Sequence, residues 1–167
     1  MPSARFKQLP KVLLAPLPLP LLQPLLNRIV RTTSQRRPEI FLRLGVHARK
    51  NFLIDPINLP FVFLLQPNPD APRMRVYRSK AGLTYHASIS GSFFDLLKLI
   101  DGRMDGDAIF FSRALRIEGD TEAIVCLRNA LDDVDGSIAE DVAGFLGHTG
   151  KILLNIIRRI TAHERYS

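Results

Sequence analysis

At 167 residues the chain is long enough for one domain with tails and too short for two ordinary domains. Its composition, 46% hydrophobic with 10 Phe and no Trp, is globular, and a single cysteine, Cys126, excludes an internal disulfide or a thiolate metal cluster within one chain and fits a reducing cytoplasm. The net charge of +7 is unevenly held, since residues 1–80 carry 14 Lys and Arg against three acids and residues 81–167 carry 9 against 13, so the first half provides the field for an anionic partner.

The first 26 residues alternate Pro with Leu and are expected to be extended or loosely helical, because proline fixes its own φ and disfavours helix before it. The longest apolar run, Val12 to Leu22, is broken by Pro16, Pro18 and Pro20 and falls short of the ~20 residues of a membrane span. Arg5, Lys7 and Lys11 give a signal-peptide look, but no small-x-small cleavage site follows. The absence of any acid from residue 1 to 38 leaves a mitochondrial transit peptide open. The density of leucines between Leu13 and Leu26 favours an apolar arm, laid on a membrane or partner, over a solvated tail.

Two short basic helices are predicted at 24–33 and 38–50, the second opening at Pro38 with Ile40, Phe41, Leu44 and His47 on one face. Asn58 to Gln66 reads as the first strand, with Phe61, Phe63 and Leu65 on one side and Val62 and Leu64 on the other, so it is expected to be covered on both sides. After a rigid Pro-rich turn at 67–72, strands around Met74 and Val76 and over Leu83–Ser90 read as a hairpin joined at Lys80-Ala81-Gly82. Ser92-Phe93-Phe94-Asp95 resembles a capping box and opens a helix to Ile100 with Phe93, Leu96, Leu97 and Ile100 buried. An acidic loop at 101–107 precedes a strand from Ile109 to Glu118, with Phe111, Leu115 and Ile117 on one face. Gly119 ends it, and Asp120 caps a helix to about Val134 striped by Ile124, Leu127 and Leu131. A last helix is predicted from Ser137 to Arg159, notched by Gly144, Gly147 and Gly150 and basic at its end. It suits a membrane surface, a partner groove or docking on the core equally. The divisions are therefore a Pro/Leu-rich basic arm at 1–36, a folded domain at 37–135 and an amphipathic helix at 136–167.

No residue set is equipped to break a bond. His47, His86, His148 and His163 show no metal spacing with each other or with Cys126, and no phosphate-cradling glycine loop occurs. Ser88–Ser92 lacks the first glycine of a nucleophile elbow, and capping accounts for its serines. No cofactor is expected. The basic residues are not interleaved with stacking aromatics, which argues against nucleic acid. What the chain has in abundance is apolar side chains on both faces of its strands and on its helical stripes, enough for a core and for the lining of a ligand pocket.

The stretch Asp107-Ala-Ile-Phe-Phe-Ser-Arg-Ala-Leu-Arg-Ile-Glu-Gly-Asp-Thr-Glu122 resembles the signature of the sterol carrier protein type 2 family, in which a Phe-bearing segment leads into a basic-apolar-basic-apolar strand, Gly-Asp and a helix. Arg113 stands where the family has a glycine, a departure that together with Glu118–Glu122 resembles the UbiT branch of ubiquinone biosynthesis accessory factors. The resemblance spans roughly residues 55–135. It implies an α+β fold in which about five strands, mixed but mainly antiparallel, are covered by helices that enclose an apolar tunnel. It implies a non-catalytic, cytoplasmic role near the bacterial inner membrane: binding isoprenoid quinone precursors, or another long-chain lipid, alongside UbiU and UbiV type proteins. An anionic membrane surface is a further expected partner. The family carries over Phe110, Phe111, Leu115 and Ile117 as pocket candidates and Gly119-Asp120 as turn and cap. The apolar periodicity adds Phe61, Phe63, Leu65, Phe93, Leu97, Ile124 and Leu127. The alternative is a membrane-peripheral scaffold that docks biosynthetic enzymes without carrying lipid.

Overall fold

The computed structural model describes residues 19–100 and 113–132, with Gly144, Gly147, His148, Lys151 and Asn155 beyond them. Helix α1 (Leu19–Arg36) leads to α2 (Glu39–Leu44), a 3-10 segment (Gly45–Arg49) and strand β1 (Phe52–Pro56). Strands β2 (Val62–Gln66), β3 (Arg73–Tyr77) and β4 (Ala87–Gly91) follow, then α3 (Phe93–Ile100), β5 (Arg116–Gly119) and α4 (Thr121–Asp132). The strands lie in the order β3-β2-β1-β4-β5. Among the described residues only β1 and β4 pair in parallel, and the other three pairings are antiparallel. The sheet is thus the mixed, mainly antiparallel one of five strands that the sequence implied, with helices packed on it.

Two features of the sheet differ from the sequence reading. The first strand is β1, which the sequence pattern does not reveal because Phe52-Leu53-Ile54 is too short to show a period before Asp55-Pro56 ends it. The hairpin lies one turn earlier than expected. The Pro-rich turn at 67–72 closes it, pairing Gln66 with Arg73 and Phe63 with Val76. Asn68 nucleates that turn, its Oδ1 accepting the Asp70 N–H at 3.1 Å and its carbonyl the Ala71 N–H at 3.1 Å. The Lys80–Gly82 turn does form, but the chain after it crosses to the far side of β1, where β4 pairs.

The expected cover on both faces of β2 is present. Val62 and Leu64 are buried on one face with Leu53 of β1, and Phe63 and Leu65 are partly buried on the other, opposite Ile54 and Phe52. On that second face Phe52, Ala87 and Ile89 meet Ile40 and Leu44 of α2, Leu96 and Leu99 of α3, and Ala123, Ile124, Leu127 and Ala130 of α4. In α3 the fully buried positions are Leu96 and Leu99, whereas Phe93, Leu97 and Ile100 of the expected stripe are only half-buried. Its capping box forms: Ser92 Oγ accepts the Asp95 N–H at 3.2 Å and donates to the Asp95 carboxylate at 2.5 Å.

Helix α1 begins inside the Pro/Leu stretch expected to be extended or loosely helical, five residues before the helix predicted at 24–33, and is a single helix of 18 residues. Pro20 falls in the first turn, where backbone donors have no helical partner, but Pro24 removes an interior hydrogen bond. Packing offsets that loss, as Leu19, Leu22 and Leu26 lie on the cluster of Leu59, Phe61 and Val76. Gln23 adds a second tie, its amide donating to Met74 O at 2.7 Å and accepting from Val76 N–H at 3.1 Å. It thereby occupies the hydrogen-bonding edge of β3 as a neighbouring strand would, and shields that edge from pairing with other chains.

Asp120 caps α4 as expected, accepting the Ala123 N–H at 2.9 Å, and its other oxygen receives Lys50 Nζ. The Lys50 hydrogen bond first, and then the backbone one, holds its carboxyl below the usual carboxylate range. A depressed folded pKa contributes stability that is present above the unfolded pKa and lost as pH falls through the folded value. Asp120→Asn should therefore melt below the native protein at neutral pH, with the two converging in acid, as thermal melts along a pH series would register.

The predicted strand start Ile109–Ser112, the loop at 101–107, Val134 and most of the helix at 137–159 lie outside the described residues. So does the greater part of the 136–167 division.

Candidate functional site

Strand alternation sets one row of side chains on the helical side of the sheet: Ile54 is paired with Phe63 and Ile89, and Phe52 with Leu65. Above this row α3 and α4 do not close completely. Between them and α1 lies a cavity of about 310 Å³. The sheet contributes Ile54, Phe63, Leu65, Met74 and Ile89, α3 contributes Phe93, Leu96, Leu97, Leu99 and Ile100, and α4 contributes Ile124, Leu127, Arg128 and Leu131. The remaining wall is Leu26, Ile29, Val30, Thr33 and Ser34 of α1, Ile40 and Phe41 of α2, and Pro56, Pro67 and Pro72. The volume lies at the low end of the ~300–1,000 Å³ typical of small-molecule sites, room for a tail segment and not for a large headgroup with it.

Polar side chains are few on this wall. Ser34 Oγ is satisfied by its own helix, donating to Arg31 O at 2.7 Å. Arg128 is held by Asp132 one turn on and reaches Asn129 Oδ1 at 3.3 Å, so its charge is compensated beside the cavity. Thr33 Oγ1 is buried and has no hydrogen-bond partner among the described residues. An unmet buried hydroxyl costs about 1–3 kcal/mol, so Thr33→Val, which keeps the shape, should raise stability by about 1 kcal/mol in chemical denaturation. With no acid, histidine or cysteine among the described lining residues, the cavity is suited to hydrocarbon. Each methylene transferred into it contributes about 0.8 kcal/mol, and ten would contribute about 8 kcal/mol before the cost of association.

Of the residues singled out from the sequence, Phe63, Leu65, Phe93, Leu97, Ile124 and Leu127 lie on the wall. Phe61 does not: it is buried in the neighbouring cluster, edge-on to Phe63 with ring centroids 5.4 Å apart. Leu115 and Ile117 pack against the core instead of lining the cavity, because β5 is an edge strand and its Ile117 is covered through Ile89. Phe110 and Phe111 lie outside the described residues. The sequence reading missed the contributions of α1 and α2 and of Ile54, Met74 and Ile89. The spacing of Leu26, Ile29, Val30 and Thr33 is the signal that would have found the first of these.

A second, shallower cleft of about 380 Å³ runs between α2 and α4, lined by Arg43, His47, Glu122, Val125, Cys126, Asn129 and Ala130. Its groups are engaged with one another. Lys50 Nζ lies 2.9 Å from His47 Nδ1, which places a neutral ring's proton on Nε2, 4.0 Å from Glu122. Cys126 Sγ donates to Arg43 O at 3.3 Å. Among the described residues no cluster of His, Cys, Asp and Glu could hold a metal ion, and no helix is long and apolar enough to cross a membrane.

A five-stranded mixed sheet with helices on one side and an apolar cavity between them defines a small α+β domain of the lipid-carrier kind. Residues 42–132 match the SCP-2 sterol transfer family, and the chain belongs to that family. Among solved structures the chain is similar to the UbiJ-SCP2 ubiquinone synthesis protein, with 18% identity and a TM-score of 0.53 over 68% of this chain and 90% of that one. It is also similar to sterol carrier protein 2 from Yarrowia lipolytica in its apo form, at 9% identity and a TM-score of 0.44 over 68% of this chain and 91% of that one. The sterol carrier protein domain 2 of Helicoverpa armigera gives 13% identity and a TM-score of 0.43 over 66% and 88%. No curated protein matches the sequence.

Proposed function

We propose that this protein is a non-catalytic accessory factor that binds polyprenylated ubiquinone precursors in the oxygen-independent ubiquinone pathway. The observation that carries this reading is the apolar cavity inside a sterol-transfer domain, walled by side chains that can exclude water and hold a tail but not react with it. The Phe110–Glu122 stretch supports the ubiquinone assignment, as does a similar structure that is itself called a ubiquinone synthesis protein. In this reading the partners are UbiU and UbiV type proteins, and the site of action is the cytoplasmic side of the inner membrane. Native mass spectrometry and solvent extraction of protein purified from anaerobic bacterial cells test it. Bound prenylated phenols or quinones are expected, and protein that is consistently empty would overturn it.

One observation favours a second reading, a docking scaffold that carries no lipid. Leu42 and Val46, one turn apart, are 82% and 84% exposed, which a protein partner would remedy. Under that reading Leu42→Ser with Val46→Ser abolishes capture of the biosynthetic enzymes, and no lipid is ever extracted.

A further inference from the structure

The described wall of the cavity carries three polar side chains, Thr33, Ser34 and Arg128, and two of them are engaged within the protein itself. Ser34 returns its hydroxyl to Arg31 O, the usual bond of a helical hydroxyl to the carbonyl three or four residues back. Arg128 is paired with Asp132 and reaches Asn129. Thr33 differs from its neighbour. Its main chain is in order, the carbonyl accepting the Arg37 N–H at 2.9 Å, yet its hydroxyl is buried and bonds to no group among the described residues. A helical threonine has two favoured χ1 rotamers, one of which reaches its own helix, so the backbone does not impose the unmet state.

A buried hydroxyl without a partner destabilises the fold, and in a native protein it calls for an explanation. Valine would have the same shape without that penalty. What threonine adds at this position is the capacity to give and to accept one hydrogen bond. An occupant of the cavity can supply the missing partner. Its polar end must be small, since about 310 Å³ admits a ring with the first units of a tail and nothing bulkier. It must also be uncharged. Among the described lining residues the cation, Arg128, already holds a carboxylate, and an anion set against a single hydroxyl would lose its hydration without recompense.

We propose that Thr33 is the head-recognising residue of this cavity: its hydroxyl bonds a single neutral oxygen, a phenol hydroxyl or a ring carbonyl, at the end of a prenyl lipid that enters head first and leaves the rest of its tail outside. Thr33 belongs to α1, ahead of the family match at 42–132, so the matched domain supplies most of the apolar space and the helix before it supplies the selectivity. This rests on the carrier reading, and the two fail in different ways. The test uses the full chain and follows displacement of a fluorescent hydrocarbon, diphenylhexatriene, by three compounds with one common tail: farnesylphenol, farnesylbenzene and farnesylbenzoate. Native protein should bind the phenol about three- to tenfold more tightly than farnesylbenzene, the worth of one net hydrogen bond, and the benzoate most weakly. Thr33→Val should bind farnesylbenzene as the native chain does and lose the preference for the phenol. Thr33→Ser should keep that preference, and Ser34→Ala, whose hydroxyl serves its own helix, should leave it unchanged. Since Thr33→Val is expected to be the more stable protein, a lost preference is not a failure to fold. A native chain that binds the phenol and farnesylbenzene alike, or a Thr33→Val variant that still prefers the phenol, overturns the role of Thr33 and leaves the carrier reading standing. Tightest binding of the benzoate overturns it as well, by making the recognised head anionic. A protein that binds neither diphenylhexatriene nor any of the three compounds overturns both.

Discussion

Leu97→Arg is expected to reduce the lipid retained by purified protein at least tenfold, while the fold survives. Leu97 lines the cavity but is only half-buried, unlike its neighbours Leu96 and Leu99, which belong to the core. An arginine there can keep its guanidinium near water along its own stem, so the protein is spared a buried charge. The tail is not spared. The longer, hydrated side chain occupies the wall and brings water to its rim, and displacing contact with only two methylenes costs about 1.6 kcal/mol, more than the 1.4 kcal/mol that is a factor of ten in binding. Lipid per protein after extraction, beside a thermal melt within a few degrees of the native one, is the result to look for. Leu96→Arg makes the contrast, since it should fail to fold. Unchanged loading in Leu97→Arg would remove this wall from the binding site.

How legible the fold was depended on how local each element's cause is. The α3 capping box, the Asp120 cap and the Gly119 break are decided by residues within one turn, and each was read correctly. Strand pairing is decided elsewhere. Nothing local to Arg73–Tyr77 states that it pairs backward with β2 and not forward with β4, and both turns, at 67–72 and at 80–82, are competent to reverse the chain. The parallel pairing of β1 with β4 brings together residues some 35 positions apart, such as Ile54 and Ile89, a contact that only the assembled sheet specifies. In α1 the local rule for proline was sound and tertiary burial overrode it: Leu19, Leu22 and Leu26 have an apolar cluster to cover.

The site was half legible for a related reason. Apolar periodicity identifies which face of an element avoids water, but core and cavity wall both satisfy that criterion. Phe61 and Phe63 are two apart on one strand and look alike in sequence, yet Phe63 lines the cavity and Phe61 fills the neighbouring cluster. Ile117 and Ile89 face each other across β4 and β5, and only Ile89 reaches the cavity, because Ile117 lies one strand further out, on the β5 edge. The basic residues of α1 drew attention to its charge and away from Leu26, Ile29 and Val30, which share the helix with them.

The other large effect expected is at Gly119, where alanine should lower the melting temperature by roughly 10 °C, as a loss of about 3–5 kcal/mol does in a chain of this size. Two separable causes contribute. Gly119 has φ +80°, a conformation that costs a side-chain-bearing residue about 1–3 kcal/mol. In addition, a Cβ there would lie 2.4 Å from the His86 carbonyl oxygen and 3.3 Å from Ala87 Cα. That carbonyl cannot simply withdraw, because it accepts the Asp120 N–H at 2.9 Å, and Ala87 is fully buried opposite Gly119 in the sheet. Gly82→Ala isolates the first cause: its φ is +76°, with nothing within 4 Å of the added carbon, so it should lose only the conformational part. The difference between the two variants then measures the close approach of β5 to β4. Since that approach sets the start of α4, which carries Ile124 and Leu127 into the cavity wall, Gly119→Ala should also release lipid, whereas Gly82→Ala should hold it. Equal melts for the two variants would mean that the backbone around His86 yields, and would free the placement of α4 from this contact.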